Sequence, residues 1–160
     1  MISDTIKNQV FAQLGCQSSD AKLLGGYNSN VFEVNIGVDI VVKILDRSVT
    51  AVTSLLSEIE WLEYIHAHGL NVVKPLRLYA DKYIHHISDD FYFVIFEKVN
   101  GVHVGPQDNK VWNKKLFEKW GETMGRVHSL AKSYRAKNER PHWFQNNLFY
   151  EAAQPKIILD

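Results

Sequence analysis

Lys43 stands in the run "DIVVKILD" (39–46), one lysine among five apolar residues. An ammonium on so apolar a strand costs several kcal/mol unless it is hydrated or paired. It therefore either snorkels out at a sheet edge or reaches an anion, a carboxylate or a ligand's phosphate. Upstream lies "GGYNSN" (25–30). Glycines let backbone N–H groups approach an anion with no Cβ in the way, while asparagines tolerate left-handed backbone and close turns. Taken alone, the stretch reads first as a plain Gly-Asn turn, with a phosphate-facing loop as the alternative that the following strand brings forward. Downstream, one segment supplies three carboxylates, Glu58, Glu60 and Glu63. A glycine loop, a strand lysine and a carboxylate to hold that lysine are what gripping α- and β-phosphates requires.

The surrounding elements must bring these groups together. Ile6, Val10, Phe11 and Leu14 fall on one face of a first helix, with Ser3 or Asp4 as cap and Gly15 as stop. Three strands are expected in "AKLLGGY", "SNVFEVNI" and "DIVVKILD". In the second, Val31, Glu33 and Asn35 share one face, and Phe32, Val34 and Ile36 the other. "GVD" is a hairpin turn before the third. Residues 49–67 change to a helical period, with Val52, Leu55, Leu56, Ile59, Leu62 and Ile65 as the apolar stripe and Gly69 as stop. Glu60 points away from this stripe and is expected to be solvated. Glu58 and Glu63 flank its two edges, so periodicity does not choose between them as partner for Lys43. Three more strands are expected in "LRLYAD", "YIHHIS" and "FYFVIFEKV". "NGVHVGPQDN" (100–109) is dense in turn residues and reads as a hinge. A long helix at 109–132 then places Trp112, Leu116, Phe117, Trp120, Met124, Val127 and Leu130 on its inner side, with His128 packed. The pattern is α+β: a mostly antiparallel sheet crossed by a helix, then a hinge and the first helix of a helical lobe.

Composition excludes several classes. Net charge is zero and the basic residues are scattered, which argues against nucleic acid or an anionic membrane as partner. The longest apolar run, "FYFVIF" (91–96), is far short of the roughly 20 residues of a membrane span. The charged, amphipathic start is no signal peptide, and the single cysteine, Cys16, suits a reducing cytoplasm. Cys16 is too isolated to nominate as a nucleophile. His66 and His68 are two apart, and His85 and His86 face opposite sides of a strand, so neither pair is spaced to chelate and no metal site is expected. His66 is expected to meet the carbonyl end of its helix. Trp61, Tyr64, Trp112, Trp120 and Trp143 read as lobe packing.

The order of glycine hairpin, "VVK" strand, mid-helix glutamate and "FVIFEKVNGV" resembles the N-terminal lobe of a protein-kinase-like fold. Within it, residues 20–134 are similar to the aminoglycoside phosphotransferase and choline kinase type of small-molecule kinase. Its loop is Gly/Asn-rich, as "GGYNSN" is. "EIEWLEYIHAHGLNVVKP" resembles its helix and strand lead-in, and "WGETMGRVHSLAKSY" its first C-lobe helix. The resemblance implies an N-lobe at 1–96 with a sheet of about five strands, a hinge at 97–108, and the beginning of a C-lobe at 109–160. It makes Lys43 the phosphate-binding lysine and Glu58 its partner. Gly25, Gly26, Asn28, Ser29 and Asn30 form the phosphate loop, and Val31 and Val41 sandwich the base. Phe96 is the gatekeeper, while the Glu97 carbonyl and the Val99 N–H meet the adenine edge. The implied cofactor is ATP or GTP with Mg²⁺.

Phosphoryl transfer also needs a base for the acceptor hydroxyl and ligands for the metal. In the resembling family these lie on an H-G-D-x-x-x-x-N loop and a following Asp. Asn147 and Asp160 are spaced like that family's metal-binding Asn and Asp, with "PKIIL" as the intervening strand. That alignment puts His142 where the catalytic Asp belongs. The chain is accordingly expected to stop short of the catalytic loop. It would be the nucleotide-binding part of an ATP-dependent kinase for a small-molecule hydroxyl, inactive alone and able to self-associate through exposed lobe surface. The alternative is a non-catalytic kinase-like module that binds nucleotide or a protein partner.

Overall fold

A computed structural model describes residues 2–26, 30–102 and 104–138 of the chain. Helix α1 spans Asp4–Gln13, with the Ser3 hydroxyl accepting the Ile6 N–H at 3.4 Å as N-cap. A short 3-10 turn, Ser18–Asp20, leads into β1 (Lys22–Gly25), β2 (Val31–Asn35) and β3 (Asp39–Asp46). The β2–β3 turn is closed by Asn35, whose Oδ1 accepts the Gly37 N–H at 3.0 Å and whose Nδ2 donates to Asp39 at 2.7 Å. Helix α2 (Val52–Ala67) follows, then β4 (Pro75–Leu76), a 3-10 turn (Tyr79–Asp81), β5 (Ile84–His86) and β6 (Phe91–Glu97).

All six strands form one antiparallel sheet in the order β1-β2-β3-β6, and β4 and β5 share the far edge of β6. Leu76 pairs with Ile95 and Ile84 with Val94, so two short strands occupy one lane and the sheet is five lanes wide. "LRLYAD" is therefore not one strand. After Leu76 the chain folds through Ala80 and Asp81, both in left-handed backbone, which ends the ladder.

The pleat sorts the core into two halves. Phe32, Val34, Ile40, Val42, Ile44, Phe93 and Ile95 pack with Val10 and Phe11 of α1 and with Leu14, its C-cap. Leu45, Tyr92, Val94 and Phe96 pack on the other face with Leu55 and Ile59 of α2. Lys43 belongs to this second face by alternation, between Val31 on β2 and Val94 on β6.

Helix α3 runs Lys114–Ser133, five residues later than the apolar pattern began. The start is set by Asn113, whose side chain accepts from the N–H groups of Lys115 (3.0 Å) and Leu116 (3.3 Å), while residues 106–112 form turns. Among the described residues, the covered face of α3 is Leu116, Thr123, Val127 and Leu130; Phe117, Trp120, Met124 and His128 are exposed. His128 is thus not packed, because it lies one residue, about 100°, round from Val127.

Candidate functional site

Where α2 leaves the second sheet face open, a cleft of about 430 Å³ remains. Val41 and Lys43 of β3 form its floor, and Glu58 of α2 closes one side with Val73. Phe96, Glu97, Lys98 and Val99 line the end at which β6 runs into the loop beyond it, and Leu24 of β1 overhangs the opening.

The sheet register explains this grouping. Val41 pairs with Phe96, two residues from the Lys43–Val94 pair, so the apolar end and the cationic end of the cleft sit side by side along β3 and β6. Glu97 donates its N–H to the Lys74 carbonyl at 2.8 Å, which ties the segment before β4 to the exit of β6. The Val99 N–H has no partner among the described residues.

The two glutamates that periodicity left equivalent part company. Glu58 faces the cleft with Lys43, although no carboxylate among the described residues lies within ion-pair distance of the ammonium. Glu63 instead accepts the Tyr83 hydroxyl and lies 3.8 Å from Arg77. Arg77 is also held by Asp81 at 2.8 Å and lies over the Tyr83 ring. Burial and the Glu63 bond push the Tyr83 phenol above its ordinary value. Glu60 is not simply solvated: it accepts hydrogen bonds from Lys137 and Asn138, beyond α3. Partial desolvation pushes its carboxyl up, and these donors outweigh that, holding it below the usual range.

The glycine loop is described only at its ends, since Asn28 and Ser29 lie outside the described residues, as do His142, Trp143, Asn147 and Asp160. Gly25 and Gly26 have φ of +123° and +93°. A Cβ on Gly26 would collide with Asn30 Oδ1 and sit 2.9 Å from Val31 Cγ2, so only glycine allows residues 26 and 30 to approach this closely. Asn30 donates its side-chain N–H to the Ile44 carbonyl at 2.7 Å, pinning the loop to β3 next to Lys43. Gly25, Gly26, Asn30 and Val31 are not among the residues lining the cleft; Val31 stands beside Lys43 in the sheet.

Sequence reasoning missed Leu24, Val73 and Lys98. Lys98 lines the cleft while its ammonium reaches back to Glu33 Oε2 of β2 at 2.7 Å. The alternation of β2 put Glu33 on the same face as Val31, and that was the available signal. The direction taken by residue 98 depends on how the chain leaves the sheet. Of the histidines, His85 is buried between Tyr79 and Phe93 and His86 is exposed; His66 lies in the last turn of α2 as expected, and the direct contact with a carbonyl there is made by His68, to Tyr64 at 2.7 Å. Among the described residues no three His, Cys, Asp or Glu side chains converge to hold a metal ion, and no helix is long and apolar enough to cross a membrane.

Three comparisons bear on this geometry. The profile of the phosphotransferase enzyme family matches residues 20–156. Amicoumacin kinase of Bacillus subtilis (strain 168) is 33% identical over 96 residues, covering 56% of this chain and 28% of the relative. The solved structure of the amicoumacin kinase hAmiN in complex with AMP-PNP, Ca²⁺ and Ami superposes with a TM-score of 0.72 at 26% identity, over 88% of this chain and 44% of that one. The chain thus spans less than half the length of these relatives. A six-stranded sheet with a lysine-and-glutamate cleft, joined to a family match over most of the sequence, leads to one conclusion: the chain belongs to the phosphotransferase enzyme family, with the kinase-like fold of its N-lobe.

Proposed function

We propose that this chain is the nucleotide-binding part of an ATP-dependent phosphotransferase that modifies a hydroxyl group of a small-molecule antibiotic or metabolite. The observation that carries the reading is the cleft itself, with Lys43 and Glu58 at one end and the Glu97–Val99 backbone at the other. In this assignment the purine of ATP, or GTP, lies between Val41, Val31 and the Phe96 end. The Glu97 carbonyl accepts from its edge, and the Val99 N–H, without a partner among the described residues, donates to it. Lys43 holds the α- and β-phosphates by charge-assisted hydrogen bonds, and Glu58 closes onto Lys43 when the nucleotide is bound. The loop of Gly25, Gly26, Asn28, Ser29 and Asn30 supplies N–H groups over the phosphates.

A divalent cation bound with the nucleotide would neutralise phosphate charge; the described residues provide no ligand cluster for it. Transfer itself breaks the bond between the γ-phosphorus and the β,γ-bridging oxygen and forms one to the acceptor oxygen, whose proton needs a base. None of the described residues is assigned that role. The 160-residue chain is therefore proposed to bind nucleotide without turning it over, residues 1–96, 97–108 and 109–160 being N-lobe, hinge and start of C-lobe. The exposed Phe117, Trp120 and Met124 give it a surface for self-association. Both amicoumacin kinases among its relatives make amicoumacin the first acceptor to try with a protein that includes the further lobe.

The test is calorimetric titration of the chain with Mg·AMP-PNP, together with an ADP-release assay in Mg·ATP and amicoumacin. Saturable binding without sustained ADP release is expected. No binding would overturn the nucleotide assignment, and sustained turnover the division of labour.

A further inference from the structure

Glu58 and Glu60 stand two residues apart on α2, about 200° around the helix axis, so one looks into the cleft and the other directly away from it. The outward carboxylate is the best-partnered side chain on the helix. Its Oε1 accepts the Lys137 N–H at 2.8 Å, with Oε2 at 3.1 Å from the same nitrogen. Oε2 also accepts the Asn138 backbone N–H at 3.2 Å and the Asn138 side-chain Nδ2 at 3.3 Å. Three donors from two successive residues thus close on one carboxylate. Around it the contact is continued by Trp61 against Tyr134, ring centroids 4.8 Å apart, and by the Tyr64 hydroxyl 3.0 Å from Ser133 Oγ. At the far end of the helix Arg126 donates to the Gly69 carbonyl at 3.4 Å.

On its inner side α2 meets the sheet through Leu55 and Ile59, contacts with no directional preference. Such a face lets a helix roll. A roll of about 20° carries a side-chain tip, roughly 5–6 Å from the axis, through about 2 Å, enough to break a hydrogen bond. Directional contacts that oppose the roll come from Glu63, which accepts the Tyr83 hydroxyl and lies 3.8 Å from Arg77, and from the outer side, where Glu60 makes most of them.

We infer that Glu60 is a positioning residue: by gripping the backbone of residues 137–138 it sets the rotation of α2, and so the placement of Glu58 against Lys43. This rests on the nucleotide assignment above for its readout, though not for the grip itself. It makes the segment after α3 part of the nucleotide site's frame, linking the part of the chain beyond the hinge to the phosphate end of the cleft without touching the nucleotide.

The experiment uses the whole 160-residue chain as wild type, E58A, E60A, E60Q and the E58A/E60A double variant. Amide exchange is measured at Lys137 and Asn138, and affinities by titration with Mg·AMP-PNP and with adenosine. In E60A the two amides should exchange faster, and the Kd for AMP-PNP should rise about tenfold, the scale of coupling between neighbouring groups, with adenosine unaffected. E60Q keeps one accepting oxygen and should recover part of the loss. On the E58A background E60A should add less than about twofold, because its effect passes through Glu58. Unchanged amide exchange in E60A overturns the grip. Faster exchange with an unchanged Kd, or an equal loss with and without Glu58, reduces Glu60 to a structural contact and overturns the positioning role. A wild-type chain that fails to bind AMP-PNP at all overturns the nucleotide assignment and the positioning role together, while the exchange data still decide the grip.

Discussion

Replacing Lys43 by Met gives the sharpest test of the cleft. The side chain rises from β3 between Val31 and Val94 and is half-buried. Methionine keeps the length and apolar stem of lysine, so the packing of that stem survives. No carboxylate among the described residues is within ion-pair distance, so removing the ammonium leaves no opposite charge stranded nearby. The folded state should change by less than about 1 kcal/mol. On a bound nucleotide the loss is one charge-assisted hydrogen bond to phosphate, about 1.5–3 kcal/mol. That converts to a rise of roughly 10- to 150-fold in the Kd for Mg·AMP-PNP. Titration calorimetry with Mg·AMP-PNP and with adenosine, plus a thermal melt, separates the outcomes. Adenosine has no phosphate, so its affinity should stay within about twofold, and the Tm should hold. The reasoning fails if AMP-PNP binding moves less than twofold, or if adenosine weakens by as much as AMP-PNP.

Other consequences follow from the same geometry. Glu63→Gln should leave the AMP-PNP Kd within about twofold, since Glu63 faces Tyr83 and an exposed Arg77, and should cost at most about 1 kcal/mol in a urea titration. Phe93→Ala empties the buried centre of the half-core shared with α1 and should destabilise the chain by about 3–5 kcal/mol, seen as a lower urea midpoint. Burial holds the His85 imidazole below its ordinary value, so the unfolded chain binds the extra proton first. Its contribution should be complete above about pH 6.5 and lost progressively as pH falls below that, toward its lowered folded value. Urea midpoints at pH 8, 6.5 and 5.5 should show this slope, and His85→Phe should flatten it.

The sheet was legible because its signals are local. Alternation in "SNVFEVNI" assigned faces that the register then kept, with Phe32 and Val34 buried on one side, and the register places Lys43 of "DIVVKILD" on the other. The stripe of α2 was equally plain, and the cap of α1 was narrowed to Ser3 or Asp4, of which the structure uses Ser3. Signals weakened where an element's limits depend on a partner. "LRLYAD" has strand composition, yet β6 offers its edge to only two of those residues before Ile84 takes over the same lane. In α3 the apolar residues outnumber the positions its neighbour covers, so Phe117, Trp120 and Met124 could be read as inner from the pattern and are exposed among the described residues.

By itself the sequence determined the components: a glycine turn, one lysine on an apolar strand, carboxylates on the following helix, and the order of strands and helices that resembles a kinase N-lobe. Periodicity could place Glu58 and Glu63 at the two edges of a stripe and Glu60 outside it, and could go no further. Which edge faces the lysine depends on the roll of α2 over the sheet, and the described structure turns Glu58 inward and gives Glu63 to Tyr83. Likewise Lys98 reaches Glu33, and Glu60 reaches residues 137–138, across 65 and 77 positions of chain. Such contacts are made between elements whose relative placement is set by close packing of two half-cores, and no local period in the chain encodes that placement.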